Sequence, residues 1–112
     1  MLPDKILKYI LDIDSVIQEI ESIKSTCNNN FENFNSNFIL SRAIERQLEI
    51  IGEALNKLKQ LDPDIAINSV KSIIALRNLI AHAYDTVDNE ILWGIIQKDI
   101  PNLKKDIDKL RS

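Results

Sequence analysis

The chain's only histidine lies in residues 77–84, which read RNLIAHAY and place several polar groups in an otherwise apolar stretch. An imidazole that titrates near neutral pH can take the proton from an RNA 2′-hydroxyl or protonate the leaving 5′-oxygen. A guanidinium can bind the phosphate and stabilise the charge of a phosphorane transition state. His82 and Arg77 could therefore cleave an RNA phosphodiester without a metal ion, but these residue types do not by themselves identify RNA as the substrate.

On a helix each residue advances about 100°, so Arg77 and Tyr84 nearly superimpose, and Asn78 and His82 share a neighbouring face. Arg77 and His82 are roughly 140° apart and do not converge on one straight helix. The alanines on either side of His82 leave room for a second copy of the helix. A symmetric homodimer would bring two histidines and two arginines into one cleft.

A purely structural interpretation accounts for the same spacing. Arg77 would then form a surface salt bridge, and His82 and Tyr84 would be half-buried packing residues. The spacing alone leaves both interpretations open.

Other chemical sites have weaker support. Glu45, Glu49 and Glu53 follow one another at four-residue steps, but without a Glu-x-x-His partner they are more typical of a solvated, ion-paired face than of a metal stripe. Cys27, in a polar stretch, has no histidine near it in sequence, and Trp93 is typical of a core or an interface. We therefore expect no metal site. The chain also has no glycine-rich phosphate loop, and we expect no cofactor.

The composition favours one all-α domain spanning residues 1–112. Apolar residues make up 45% of the chain, with two glycines, three prolines and six aromatic residues. The lone cysteine excludes an internal disulfide, and no secretion signal or membrane span is evident, so we expect a cytoplasmic protein without membrane association. The net charge of −3 argues against broad adhesion to nucleic acid, so any RNA contact should be focused.

The hydrophobic periodicity predicts an antiparallel bundle of four main helices with short helical turns. The first helix runs from Pro3 to about Ser25, and an asparagine run ends it. A short helical turn around residues 31–34 precedes a second helix from about Asn37. After a turn that begins with Asp62 before Pro63, the third helix starts near residues 68–69 and carries the octapeptide. The last helix follows a capping Asp88, with a kink expected at Pro101.

The octapeptide fits the pattern Arg-x(4–6)-His-x-Tyr and resembles the signature of the HepT-like toxins of the HEPN superfamily. Residues 42–54 resemble the second-helix block of that family, residues 87–88 the stretch after its tyrosine, and residues 92–93 and 99–103 its closing helix. These stretches occur in the family's order. The similarity covers nearly the whole chain, and Arg77, Asn78, His82 and Tyr84 all match the pattern.

This resemblance implies a HEPN-like helical bundle that dimerises through the motif helices and acts as a metal-independent endoribonuclease toxin. His82 would be the acid/base residue, Arg77 the phosphate ligand and Asn78 a polar support. The resemblance also implies a partner, the minimal nucleotidyltransferase (MNT) antitoxin, which neutralises such toxins in MNT/HepT, type VII-like systems by adenylylating the motif tyrosine, here Tyr84.

Two alternatives to an enzyme remain open at this point. The chain could be a non-catalytic nucleotide-binding or scaffold partner of a nucleotidyltransferase, which the acidic pI favours, or a helical interaction domain whose motif is only structural. The presence of both Arg77 and His82 favours the enzyme, because a phosphate binder would need only the arginine.

Overall fold

A computed structural model describes residues 2–67 and 88–111, and every regular element in these two ranges is a helix. The all-α fold class is confirmed over these residues, and the predicted third helix lies outside them. The elements are α1 (Asp4–Thr26), α2 (Phe31–Asn35), α3 (Phe38–Leu61), α4 (Asn89–Gly94), a π-helical turn (Ile95–Asp99) and α5 (Ile100–Arg111).

Helix α1 forms because its isoleucines recur every three or four residues and build one apolar face. Pro3 is the N-cap residue and Asp4 is the first helical residue. The helix therefore begins one residue later than predicted. The helix ends where Asn28 and Asn29 adopt positive φ angles of 55° and 50°, a left-handed conformation that asparagine tolerates better than most residues. The asparagine run therefore terminates α1 as predicted.

Helix α3 begins where the sequence predicts it. The side chain of Asn37 accepts hydrogen bonds from the backbone N–H groups of Ile39 and Leu40, satisfying two amides of the first turn. The apolar stripe of α3 is buried and packs mainly against α1, with the start of α1 beside the end of α3. The two long helices are thus antiparallel. The predicted short helix α2 lies between α1 and α3 in the sequence, and its Phe34 side chain is fully buried.

The last helix stays helical through Pro101, as predicted, and its distortion takes the form of the π turn. In this turn the N–H of Ile100 donates to the carbonyl of Ile95, five residues back. Proline has no N–H to donate to Gln97, and its ring crowds that carbonyl, so a wider preceding turn relieves the clash. The half-buried Lys24 of α1 donates to the carbonyl of Ile96 in the same turn, at 3.4 Å.

The aromatic contacts join α2 to α4. The ring centre of Trp93 lies 5.2 Å from that of Phe34 and 5.9 Å from that of Phe31, so the half-buried Trp93 packs against the core. Cys27, expected in a polar stretch, is instead buried, and its thiol donates to the carbonyl of Lys24. Within the described ranges no helix is long and apolar enough to cross a membrane.

Candidate functional site

The four residues that carry the predicted chemistry, Arg77, Asn78, His82 and Tyr84, lie outside the described residues. Their mutual arrangement, and the pairing of two copies across a cleft, therefore stay predictions. What the structure describes are the two chain segments that lead into and out of residues 68–87, and the helix α3 that carries the second stretch of resemblance.

The entering segment is anchored to the core. Asp62 ends α3, and its side chain accepts the backbone N–H of Asp64 at 3.1 Å, which forms the turn expected around Pro63. Ile65 and Ile67 are both buried, and Lys59 of α3 donates to the carbonyl of Ile65 at 3.2 Å. The backbone is thus held against the end of α3 up to residue 67.

The leaving segment is anchored at the other end of α3. The carboxylate of Asp88 accepts the backbone N–H of Glu90 at 2.9 Å, which confirms the predicted cap. The side chain of Asn89 donates to that of Asn35, at the end of α2, at 3.0 Å. The described chain therefore enters residues 68–87 at one end of α3 and leaves them at the other.

The charged side of α3 carries an ion pair. Arg46 lies 3.6 Å from Glu49 in an i,i+3 pair, and Arg42 and Arg46 are exposed. Over residues 2–67 and 88–111, no group of histidine, cysteine and acidic side chains has the geometry of a metal site. The ion pair supports the interpretation of Glu49 as an arginine partner.

Gln47, in the same block of α3, carries a polar atom that the sequence reasoning did not single out. Its side-chain oxygen is buried and has no hydrogen-bond partner among the described residues. Leaving such an acceptor unpaired costs about 1–3 kcal/mol. Nothing in the spacing of α3 distinguishes Gln47 from its polar neighbours, so only the packed structure reveals this oxygen.

The strongest electrostatic feature of the described residues joins the two ends of the chain. Asp14 of α1 is buried, and its carboxylate accepts hydrogen bonds from Lys104 at 2.7 Å, Gln18 at 3.1 Å and Arg111 at 3.3 Å. The hydrogen bond from Lys104 is the main cause that lowers the pKa of Asp14, against the opposing effect of burial. The same bond raises the pKa of Lys104. This cluster fastens α5 to α1.

The sequence contained a signal for this cluster. Asp14 stands inside the apolar stripe of α1, beside Ile13 and Ile17, where a carboxylate is stable only if it is paired. Its cationic partners could not be identified from the sequence, because several lysines and arginines of the last helix were equally available.

Comparison with known proteins gives a consistent result. The family model described as "Ribonuclease HepT-like" matches residues 16–110. A protein of Thermococcus cleftensis named as a probable ribonuclease HepT is 37% identical over 108 residues, covering 92% of this chain and 93% of its own length. Two proteins named as candidate RNases are also similar. That of Caldanaerobacter subterraneus is 34% identical over 96% of this chain and 93% of its own. That of Methanocaldococcus jannaschii is 33% identical over 89% and 91%.

No solved structure matches the chain significantly.

Proposed function

Because this chain belongs to the HepT-like ribonuclease family, we propose that it is a metal-independent endoribonuclease and the toxin of an MNT/HepT toxin-antitoxin pair. The observation that carries the proposal is the family match over residues 16–110 together with an intact RNLIAHAY octapeptide inside that range. The octapeptide contains the acid/base group and the phosphate ligand that the reaction requires.

The reaction proceeds in a homodimer. His82 of one protomer takes the proton of the 2′-hydroxyl, and the 2′-oxygen attacks the adjacent phosphorus. The bond from phosphorus to the 5′-oxygen breaks, and the second histidine of the dimer protonates that leaving oxygen. Arg77 binds the non-bridging oxygens as their charge increases, and Asn78 supports it. The products are a 2′,3′-cyclic phosphate and a free 5′-hydroxyl.

Adenylylation of Tyr84 by a nucleotidyltransferase antitoxin would regulate the ribonuclease activity. On a helix Tyr84 shares a face with Arg77, seven residues earlier. The phosphate of an AMP group on the tyrosine oxygen would lie within reach of the guanidinium and occupy the place of a substrate phosphate. Modification would therefore inhibit cleavage both by occlusion and by neutralising the charge of Arg77.

The decisive experiment is expression of the chain alone, scored for growth arrest and for cleavage of RNA by the purified protein. His82→Ala and Arg77→Ala should each abolish cleavage, because one removes the acid/base group and the other the transition-state ligand. Asn102→Ala, at an exposed position of α5, is the matched control and should cleave normally. EDTA should have no effect, and the products should end in 2′,3′-cyclic phosphate.

Two results would contradict the proposal. Inhibition by EDTA would show that a metal takes part, and cleavage by the His82→Ala protein would remove His82 from the mechanism. A protein that binds nucleotides or a nucleotidyltransferase but never cuts RNA would instead be the non-catalytic scaffold, an alternative favoured by the net charge of −3.

A further inference from the structure

A cavity of about 370 Å³ opens between the start of α1 and the end of α3. Its volume lies within the range of pockets that hold small ligands. Three of the six described residues that line it are lysines, and we name it the lysine groove. The lining residues are Lys5, Lys8, Tyr9, Lys57, Gln60 and Leu61.

The charge of the lysine groove is opposite to that of the chain. The sequence has 17 acidic and 14 basic residues, yet none of the described residues that line this cavity carries a carboxylate. Asp12 and Glu53 line a neighbouring cavity of about 220 Å³ that shares Tyr9 and Lys57 with the groove. The described lining of the lysine groove itself is therefore positively charged.

Two of the three ammonium groups are available to a ligand. Lys8 is engaged, because its Nζ lies 3.3 Å from the carboxylate of Asp12 and 5.2 Å from the centre of the Tyr9 ring. Lys5 and Lys57 are exposed and form no ion pair with any described residue. They stand on different helices, so a ligand that bridges them must carry more than one negative group.

We propose that the lysine groove binds the phosphate backbone of the RNA substrate at a distance from the bond that is cut. This inference rests on the proposed ribonuclease function and assigns that function a second substrate contact. Single-stranded RNA presents negative charges at regular intervals, which suits two separated lysines. The amide of Gln60 can bond a phosphate oxygen or a 2′-hydroxyl, and Tyr9 and Leu61 supply an apolar wall.

The location of the groove supports an auxiliary contact of this kind. Lys57 and Gln60 belong to the last turns of α3, and the buried connection through Ile65 and Ile67 follows directly. Because Lys59 bonds the carbonyl of Ile65, this connection is held at the same end of the bundle. The chain enters residues 68–87, which carry the octapeptide, from the end at which the groove lies.

The test compares two double variants with the same change in charge. Lys5→Gln with Lys57→Gln removes the two available groups of the groove. Lys98→Gln with Lys105→Gln removes two exposed lysines, one in the π-helical turn and one in α5, and serves as the control. Both pairs replace lysine by another good helix former, so helical content measured by circular dichroism should not change. Binding of a fluorescein-labelled oligouridylate is measured by anisotropy against salt concentration, alongside kcat and KM for RNA cleavage.

Counterion release gives the expected size of the effect. Each phosphate contact to single-stranded nucleic acid contributes about 0.7 to the slope of log affinity against log salt, so losing two contacts should lower the slope by about 1.4. At 0.1 M salt this corresponds to roughly a 25-fold weaker affinity. KM should rise with it while kcat stays unchanged, because the groove does not touch the reacting atoms. The control pair should retain the wild-type slope and KM.

The outcomes separate this inference from the function on which it rests. If the wild-type protein cuts RNA and the groove variant shows the slope and KM of the control, the groove is not a substrate contact. A fluorescein-labelled polyglutamate peptide is measured in the same anisotropy assay. If the groove variant loses binding of this peptide but retains RNA binding, the groove receives an acidic protein segment and the inference is wrong. If RNA binding depends on Lys5 and Lys57 but no preparation cuts RNA, the ribonuclease proposal fails while the groove stands as an RNA-binding surface.

Discussion

Replacing Asp14 by asparagine should destabilise the fold, because the side chain keeps its shape but loses the charge that holds α5 against α1. A hydrogen bond to a charged group contributes about 1.5–3 kcal/mol, whereas an exposed ion pair contributes about 0–1 kcal/mol. The side chain of Asp14 is only 11% exposed, but those of Lys104 and Arg111 are each 39% exposed, so solvent screens them in part. Lys104 also retains Asp108 at 3.0 Å. We therefore expect a loss of about 1–2 kcal/mol.

Thermal and urea unfolding followed by circular dichroism would measure this loss. For a chain of this size, 1–2 kcal/mol corresponds to a fall in Tm of roughly 4–8 °C. Asp12→Asn is the matched control. It lies one half-turn away on α1 and pairs with Lys8 at 3.3 Å, but both side chains are more than half exposed. Its effect should stay within about 0.5 kcal/mol.

The pH dependence gives an independent check. The pKa of Asp14 is lowered from 3.8 in the folded protein, mainly by the hydrogen bond from Lys104. The carboxylate therefore stabilises the fold fully above about pH 4, and this stabilisation is lost as the pH falls through the lower folded pKa. The pKa of Lys104 is raised from 10.5, so its contribution is full below that value and is lost at higher pH. The difference between wild type and Asp14→Asn should be constant from pH 5 to 9 and shrink below about pH 4.

Unfolding of Asp14→Asn at the same temperature as Asp12→Asn would show that the charge of Asp14 does not stabilise the fold. A difference from wild type that did not shrink as the pH fell below about 4 would contradict the lowered pKa of Asp14.

Three further predictions concern assembly, control and local structure. The active protein should be a dimer by light scattering, since one histidine per chain cannot supply both acid and base, and a fully active strict monomer would exclude the composite site. Intact mass measurement after incubation with ATP, magnesium and a cognate nucleotidyltransferase should show added AMP that Tyr84→Phe prevents, and cleavage should fall in step. An adenylylated protein that still cleaves at the full rate would show that Tyr84 is not the switch. Asn37→Ala should cost about 1 kcal/mol in urea unfolding, because the first-turn amides of α3 lose their acceptor, whereas the exposed Asn102→Ala should change stability little. Equal effects of the two would argue against the cap.

Structure that depends on neighbours in sequence was predictable. The isoleucine period of α1, the asparagine run after it, the capping Asn37 and Asp88, and the helical continuity through Pro101 all follow from interactions within a few residues. The chain's only histidine, with Arg77 five residues before it, also made these two residues the candidates for phosphodiester chemistry, and the family resemblance supplied RNA as the expected substrate. Their geometry is not a property of the pattern, since it depends on how two copies of the motif would meet.

Contacts between distant parts of the chain were decided only by the tertiary structure. The position of Asp14 in an apolar stripe indicated that its carboxylate must pair with a cation. Its partners lie 90 and 97 residues away in the sequence, and the packing of α5 on α1 determines which cations they are. The lysine groove likewise exists only because α1 and α3 are antiparallel, which places Lys5 beside Lys57. A periodic sequence determines which face of each helix is buried. The register in which two such faces pack depends on the fit of side chains from separate helices, and this fit decides which polar groups meet at the rim.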